Sequence, residues 1–229
     1  IVNETVKVID RVGEKFGHTF EYVDVLMGGC ATDAVGVSYP QGTAEKCRSC
    51  DAVLLGAGGG PQWGSDKPAQ QRPETALLAI RKDLGLYANL RPAALRLALA
   101  EACPLKKETA ERGIDLLMVR ELTGGIYFGK RDRYQTEDRG VEATDLMAYS
   151  EKEIERIGRR AFEMARLRRK KVTSVDKANV LETSRLWRSV MHRLAGEYSD
   201  VQYEDVLVDN CAMQLVRDPG QFDVVVTEN

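Results

Sequence analysis

Short apolar runs that stop at a glycine or a charged residue constrain this chain most. Phe20–Val25, Asp51–Gly56, Ile114–Val119, Val172–Val175, Val206–Val208 and Phe222–Val226 are too short for helices. They are rich in branched residues, which suits buried strands. Between them lie amphipathic helical patterns. Val2, Val6, Ile9, Val12 and Phe16 form one stripe, and Leu77, Ile80 and Leu84 another. Ser150 and Glu153 have capping-box spacing ahead of Ile154, Ile157, Ala161 and Ala165, and Trp187, Val190, Met191 and Leu194 follow. Helices alternating with short strands predict an α/β fold with crossover connections and a mixed, twisted sheet. Ligands of such sheets gather where strands end. The residues just after each run are therefore the candidates for function.

The run Ile114–Val119 leads into Arg120, the pair Gly124-Gly125 and Tyr127. Arg120 offers a planar fork for a carboxylate, the glycines permit a tight turn or a close approach, and Tyr127 offers a phenolic proton. This is an anion clamp beside a proton donor, or else a turn with a core tyrosine. Asp51–Gly56 is followed by Gly56-Ala57-Gly58-Gly59-Gly60-Pro61-Gln62-Trp63-Gly64, a ligand loop or a flexible one without Rossmann spacing. Pro73-Glu74 opens the next helix, where Arg81 shares a face with Leu77. Arg91 precedes Pro92 in an extended segment. Arg81, Arg91 and Arg120 all stand at element ends, where three forks can converge on one polyanion. Lys177 follows Val172–Val175, Asp209 follows Val206–Val208, and Asn179 with Glu182 has the spacing of a helix cap. Met27-Gly28-Gly29 is a turn whose role the sequence does not disclose.

With a net charge of −2, no global field recruits nucleic acid or an anionic membrane. The basic run Arg166–Lys171 closes a helix, where cations complement the dipole. No apolar run approaches the roughly 20 residues of a membrane span. Five cysteines without a repeated spacing argue against a disulfide framework and for a reducing, cytosol-like compartment. Cys47-Arg48-Ser49-Cys50 has C-x-x-C form but no second pair. Residues 130–149 are charged and weakly periodic, an excursion rather than a core element. The chain opens on Ile1 directly into a helical pattern.

Six collinear motifs carry a resemblance over essentially the whole chain. They are Gly59-Gly60-Pro61-Gln62-Trp63, Arg72-Pro73-Glu74-Thr75, Asn89-Leu90-Arg91-Pro92-Ala93, Arg120-Glu121-Leu122-Thr123-Gly124-Gly125-Ile126-Tyr127-Phe128-Gly129, Ser174-Val175-Asp176-Lys177-Ala178-Asn179-Val180 and Val208-Asp209-Asn210. Together they resemble the isopropylmalate dehydrogenases of the isocitrate/isopropylmalate dehydrogenase family. The resemblance implies a two-domain homodimer: residues 1–86 in the first domain, 87–229 in the second, and 130–149 as an intersubunit arm. It implies NAD, Mg²⁺ or Mn²⁺, a malate-type dicarboxylate, and oxidative decarboxylation of 3-isopropylmalate in leucine biosynthesis. Arg81, Arg91 and Arg120 match the substrate-carboxylate arginines, and Leu77 the position against the isopropyl group. Tyr127 and Lys177 match the catalytic pair, Glu74 and Asn179 match positions near the nicotinamide ribose, and Asp209 matches a metal ligand. Lys177 and Asp209 would serve the partner's site. Sister activities on tartrate, D-malate, isocitrate or homoisocitrate are the nearest alternatives, and a non-catalytic dimerisation module is a third. Gln62 stands where the family has lysine, and Lys130 departs from the family's arm sequence. The family's G-D-G-I-G-P, G-S-A-P-D and remaining metal-aspartate segments are not in the chain, so an internal portion of the enzyme is expected, in a cytoplasmic or organellar setting.

Overall fold

In a computed structural model that describes residues 1–64 and 66–229, the chain divides into two units, Ile1–Gly85 and Leu86–Asn229. The first unit holds helices α1 (Val2–Phe16), α2 (Gly29–Val35), α3 (Thr43–Arg48) and α4 (Pro73–Asp83). Gly17 ends α1 in the left-handed region, φ 72°, a helix stop that glycine adopts without strain. Pro73 starts α4, where its missing N–H is no loss.

The strands expected at Phe20–Val25 and Asp51–Gly56 are absent: among the described residues neither segment joins a ladder. Strands need neighbours for their N–H and C=O groups, and the described residues of this unit form none. Tyr22, Val23, Val53, Leu54 and Leu55 are correspondingly exposed, as are Val12 and Phe16 of α1.

The second unit contains β1 (Ala88–Ala94), α5 (Lys107–Glu111), β2 (Asp115–Glu121), β3 (Arg131–Thr136), β4 (Gly140–Asp145), α6 (Glu151–Arg166), β5 (Lys171–Asp176), α7 (Glu182–Glu197), β6 (Gln202–Leu207), α8 (Val208–Arg217) and β7 (Val224–Thr227). Five strands form one mixed sheet in the order β1-β2-β7-β5-β6, with β1 antiparallel to β2 and the other pairs parallel. Residues 130–149, weakly periodic in sequence, contain the separate antiparallel hairpin β3–β4.

Alternation along each strand divides the core. Leu117, Val119, Val172, Val224 and Val226 face α6 and α7, joining Ile154, Ile157, Phe162, Trp187, Met191 and Leu194. Leu116, Val175 and Val225 face the other way, with Phe222 and Cys211 of α8. Burying each such large side chain contributes roughly 1.5–3 kcal/mol. Gly158 lets α6 approach α7, since a Cβ there would lie 2.5 Å from Leu194 and 2.8 Å from Met191.

The basic run is consumed in holding strands together. Arg168 bonds Asp115 and the buried Asp223, Arg169 donates to the Phe222 carbonyl, and Lys171 pairs with Glu204. Ser150 and Glu153 form the expected capping box. Asn179 and Glu182 do not cap α7: its N-cap is Leu181, with no side-chain bond. The chain uses residues 177–181 for a turn in which the Val180 and Leu181 N–H groups donate to the Lys177 carbonyl.

Candidate active site

In the first unit, α4 carries Glu74 in its first turn, Leu77 one turn on and Arg81 in its last turn. Glu74 and Leu77 line a small cavity of about 130 Å³ with Met27, Gly28, Leu55, Gly56, Gly58, Gly59 and Pro73. Its floor is two glycine turns laid backbone against backbone. The Gly29 N–H donates to the Gly58 carbonyl at 2.8 Å. Gly28 has φ 78°, and a Cβ there would lie 2.5 Å from Gly58 O. The Met27-Gly28-Gly29 turn, mute in the sequence, thus forms the cavity wall with the glycine-rich loop. That volume suits the end of a ligand rather than a whole one.

In the second unit, Arg91 on β1 and Arg120 on β2 share one face of the sheet. Asn89 lies opposite Arg120, and Arg91 follows Asn89 by one strand period. Diagonal partners of this kind stand about 7–8 Å apart. The Arg120 guanidinium lies 5.6 Å from the Tyr127 ring centroid. Tyr127 is 48% exposed, so the core-tyrosine reading of this stretch fails. Arg120 also donates to Asn229 Oδ1 at 2.8 Å.

The turn between Arg120 and Tyr127 is built on Glu121, whose side chain is fully buried. Its carboxylate accepts from Thr123 N at 2.9 Å, Thr123 Oγ1 at 2.7 Å and Gly124 N at 2.7 Å. Arg156 adds an ion pair at 3.4 Å while stacking over Tyr87. Both roles proposed for the double glycine are present. Gly125 has φ 75°, and a Cβ on Gly124 or Gly125 would strike the Tyr149 side chain. Burial pushes the Tyr149 phenol up, the Asn229 N–H bond acting against that shift.

Lys177 and Asp209 meet farther along the row of strands, beyond β7. Along β5, Ser174 and Asp176 bond Trp187 and Arg188 of α7, so Lys177 falls on the α8 side. There its Nζ donates to Asp209 Oδ1 at 2.6 Å. Asp209 lies in the first turn of α8, and the Lys177 hydrogen bond holds its carboxyl below the usual range. Beneath Lys177, the buried Asp176 takes two bonds from Arg188, at 2.9 and 2.7 Å, and one from Ala178 N. Glu228, just past β7, is pushed up to about 7 by burial, Asp176 adding to the rise. Asn179 is exposed in the turn after Lys177.

The predicted residues thus fall into three groups: Glu74, Leu77 and Arg81 on α4; Arg91, Arg120 and Tyr127 around β2; Lys177, Asn179 and Asp209 at the ends of β5 and β6. The strand β7 separates Arg120 from Lys177, two strand spacings or roughly 10 Å. Glu121, Tyr149, Asp176, Arg188 and Asn229 were not singled out for the site. A glutamate just ahead of Thr-Gly-Gly was the one local hint, because successive backbone N–H groups in a turn can cradle a carboxylate.

The model of the isocitrate/isopropylmalate dehydrogenase family matches residues 1–229. The chain belongs to this family. It is 58% identical to a 3-isopropylmalate dehydrogenase of Moorella thermoacetica, covering all of this chain and 64% of the relative. It is 54% identical to one of Priestia megaterium, covering all of this chain and 62% of the relative. A solved isocitrate dehydrogenase from Methylococcus capsulatus superposes with a TM-score of 0.74 at 32% identity, over 98% of this chain and 62% of that one. The chain therefore spans a little under two thirds of the length of these relatives. The dehydrogenase family, the α/β fold and the mixed sheet agree with the resemblance read from the motifs. Among the described residues no helix is long and apolar enough to cross a membrane. The C-x-x-C cysteines are free, Cys47 is buried with its thiol pushed up by burial, and no described trio of His, Cys, Asp or Glu gathers to hold a metal.

Proposed function

We propose that the complete protein oxidatively decarboxylates 3-isopropylmalate to 4-methyl-2-oxopentanoate in leucine biosynthesis, with NAD as hydride acceptor. Leu77 carries the reading: it presents an apolar wall beside Glu74 and the glycine loop, in a chain more than half identical to relatives named for this activity. An isopropyl group is at home there. Isocitrate would bring a carboxylate that leucine cannot bond.

The residues then divide the work. Residues 1–86 form the part that holds cofactor and the substrate's alkyl end, and 87–229 the rest. Arg81, Arg91 and Arg120 grip the two carboxylates with their forks. Lys177 Nζ takes the hydroxyl proton as hydride leaves the carbinol carbon. The resulting β-keto acid loses carbon dioxide, and Tyr127 returns a proton to the enolate carbon. Glu74 and Asn179 accept hydrogen bonds from the nicotinamide ribose. NAD, when bound, supplies only the hydride acceptor. Asp209 is one carboxylate, and Mg²⁺ or Mn²⁺ takes several oxygens. Asp209 would supply one of those oxygens, and the described residues alone do not complete the ion's shell.

The hairpin β3–β4 exposes Tyr134 and Val141, and Leu146 beyond it is exposed too, as suits an arm against a second copy. In the homodimer Lys177 and Asp209 serve the partner's site, which fits their separation from Arg120 by β7. The setting is the cytoplasm, with no nucleic-acid or membrane partner. NADH formation by the complete gene product tests the reading, with isopropylmalate, isocitrate, tartrate and D-malate offered separately, with and without Mg²⁺ or Mn²⁺. Strong preference for isopropylmalate is expected. Preference for another acid would move the substrate, and no turnover from a folded dimer would leave a non-catalytic module. Loss of decarboxylation in Tyr127→Phe is expected, and its retention would remove the tyrosine's role.

A further inference from the structure

The Arg120 guanidinium is held from outside its own strand. Asn229 lies two residues beyond Thr227, the β7 partner of Arg120 in the parallel ladder. Its side-chain oxygen accepts from Arg120 Nη2 at 2.8 Å, while its side-chain nitrogen donates to the Gly124 carbonyl at 3.0 Å. Its backbone N–H donates to the Tyr149 hydroxyl at 2.7 Å. Both ends of the amide are therefore assigned by chemistry, since guanidinium only donates and carbonyl only accepts. Gly125 is needed for the approach: a Cβ there would lie 2.5 Å from Tyr149 Oη and 3.2 Å from Asn229 Cβ.

We propose that Asn229 is a positioning residue for substrate binding, tying the Arg120 fork to the Gly124-Gly125 turn so that its free edge faces the substrate carboxylate. The proposal rests on the reading of Arg120 as a substrate arginine. Three features separate this role from ordinary packing. Asn229 bonds the guanidinium itself, it bonds the turn that sets Tyr127, and its neutral amide aligns the cation without neutralising it. A carboxylate at this position would pair with Arg120 and compete with the substrate. Glu121 fixes the other end of the same turn through Thr123 and Gly124. The Arg120–Tyr127 segment is thus clamped from below by Glu121 and from the side by Asn229.

The test uses the complete gene product and steady-state kinetics with isopropylmalate and NAD varied in turn. Asn229→Ala frees the guanidinium, and the KM for the dicarboxylate is expected to rise about 5- to 20-fold, with kcat changing less and the KM for NAD unchanged. Asn229→Asp keeps the shape and supplies a competing charge, so it is expected to raise the same KM further while leaving the melting temperature within a few degrees. It also decides the matter if the alanine variant does not fold. Tyr149→Phe, which removes one bond to Asn229 alone, is expected to move KM in the same direction by a smaller factor. Arg120→Ala is the reference. If it raises the dicarboxylate KM while both Asn229 variants leave it unchanged, or lower kcat and melting temperature only, the positioning role is overturned. If Arg120→Ala itself leaves that KM unchanged, the underlying reading of the site falls as well.

Discussion

Asp51-Ala52-Val53-Leu54-Leu55 and Asp223-Val224-Val225-Val226-Thr227 are near-equivalent as sequences, an aspartate followed by an apolar run. The second is the centre of a sheet, with β2 on one side and β5 on the other. The first joins no ladder among the described residues, and Leu54 and Leu55 are each 46% exposed. The contrast extends to whole units. Residues 86–229 bury two apolar clusters on opposite faces of a sheet, whereas among the described residues of 1–85 the buried apolar side chains are few, Ala31, Cys47, Ala76 and Ile80. A strand is a property of a pair of segments. Branched apolar residues make a segment ready to pair, and only a neighbour makes it a strand.

Hydrogen exchange on the 229-residue chain probes the contrast most broadly. The amides of β7 and β2 are expected to approach the protection of global unfolding, and those of residues 51–56 to exchange orders of magnitude faster. Equal protection would break the comparison. Next in size is the ion pair under Lys177. Arg188→Met leaves the buried Asp176 carboxylate without its two guanidinium bonds, and chemical denaturation should show a loss of about 3–5 kcal/mol. Lys7→Met in α1 removes an exposed pair with Glu4, and its effect should stay below about 0.5 kcal/mol. Gly158→Val overfills the α6–α7 contact and should cost about 1–3 kcal/mol by the same measurement.

A pH slope sharpens the comparison from another side. Glu228, pushed up to about 7 from 4.5, holds its proton more tightly when folded. Its contribution is therefore fully present below pH 4.5 and is lost as pH rises toward 7, by about 1.4 kcal/mol per pH unit at most. Glu228→Gln should flatten that part of the stability–pH curve. An unchanged slope would assign it to other groups.

Much of the candidate site was legible as a set of positions, because its residues sit where strands stop. Arg120, Lys177 and Asp209 each follow an apolar run, and chain order alone places them at one end of a parallel sheet. The double glycine announced a constrained turn. The partners that hold these residues were not legible, because they come from distant parts of the chain. Tyr149 reaches Gly125 from the far side of the hairpin, Arg188 reaches Asp176 from α7, and Asn229 reaches Arg120 across 109 positions. No local spacing encodes such contacts. The cap expected from Asn179 failed for a related reason: spacing identified a possible bond, but the turn at Lys177 had already taken the backbone elsewhere.

By itself the sequence determined the amphipathic helices α1, α4, α6 and α7, the alternation that fills both faces of the sheet, the capping of α6 and the family. These depend on periodicity and on short motifs, which neighbouring residues express without help. Tertiary structure alone decided which apolar runs became strands, that the basic run after α6 is spent on Asp115, Asp223 and Glu204, and that Lys177 meets Asp209 while Arg120 meets Asn229. Pairing, burial and ion-pair choice are relations between segments, and their free energies exist only once the chain has brought those segments together.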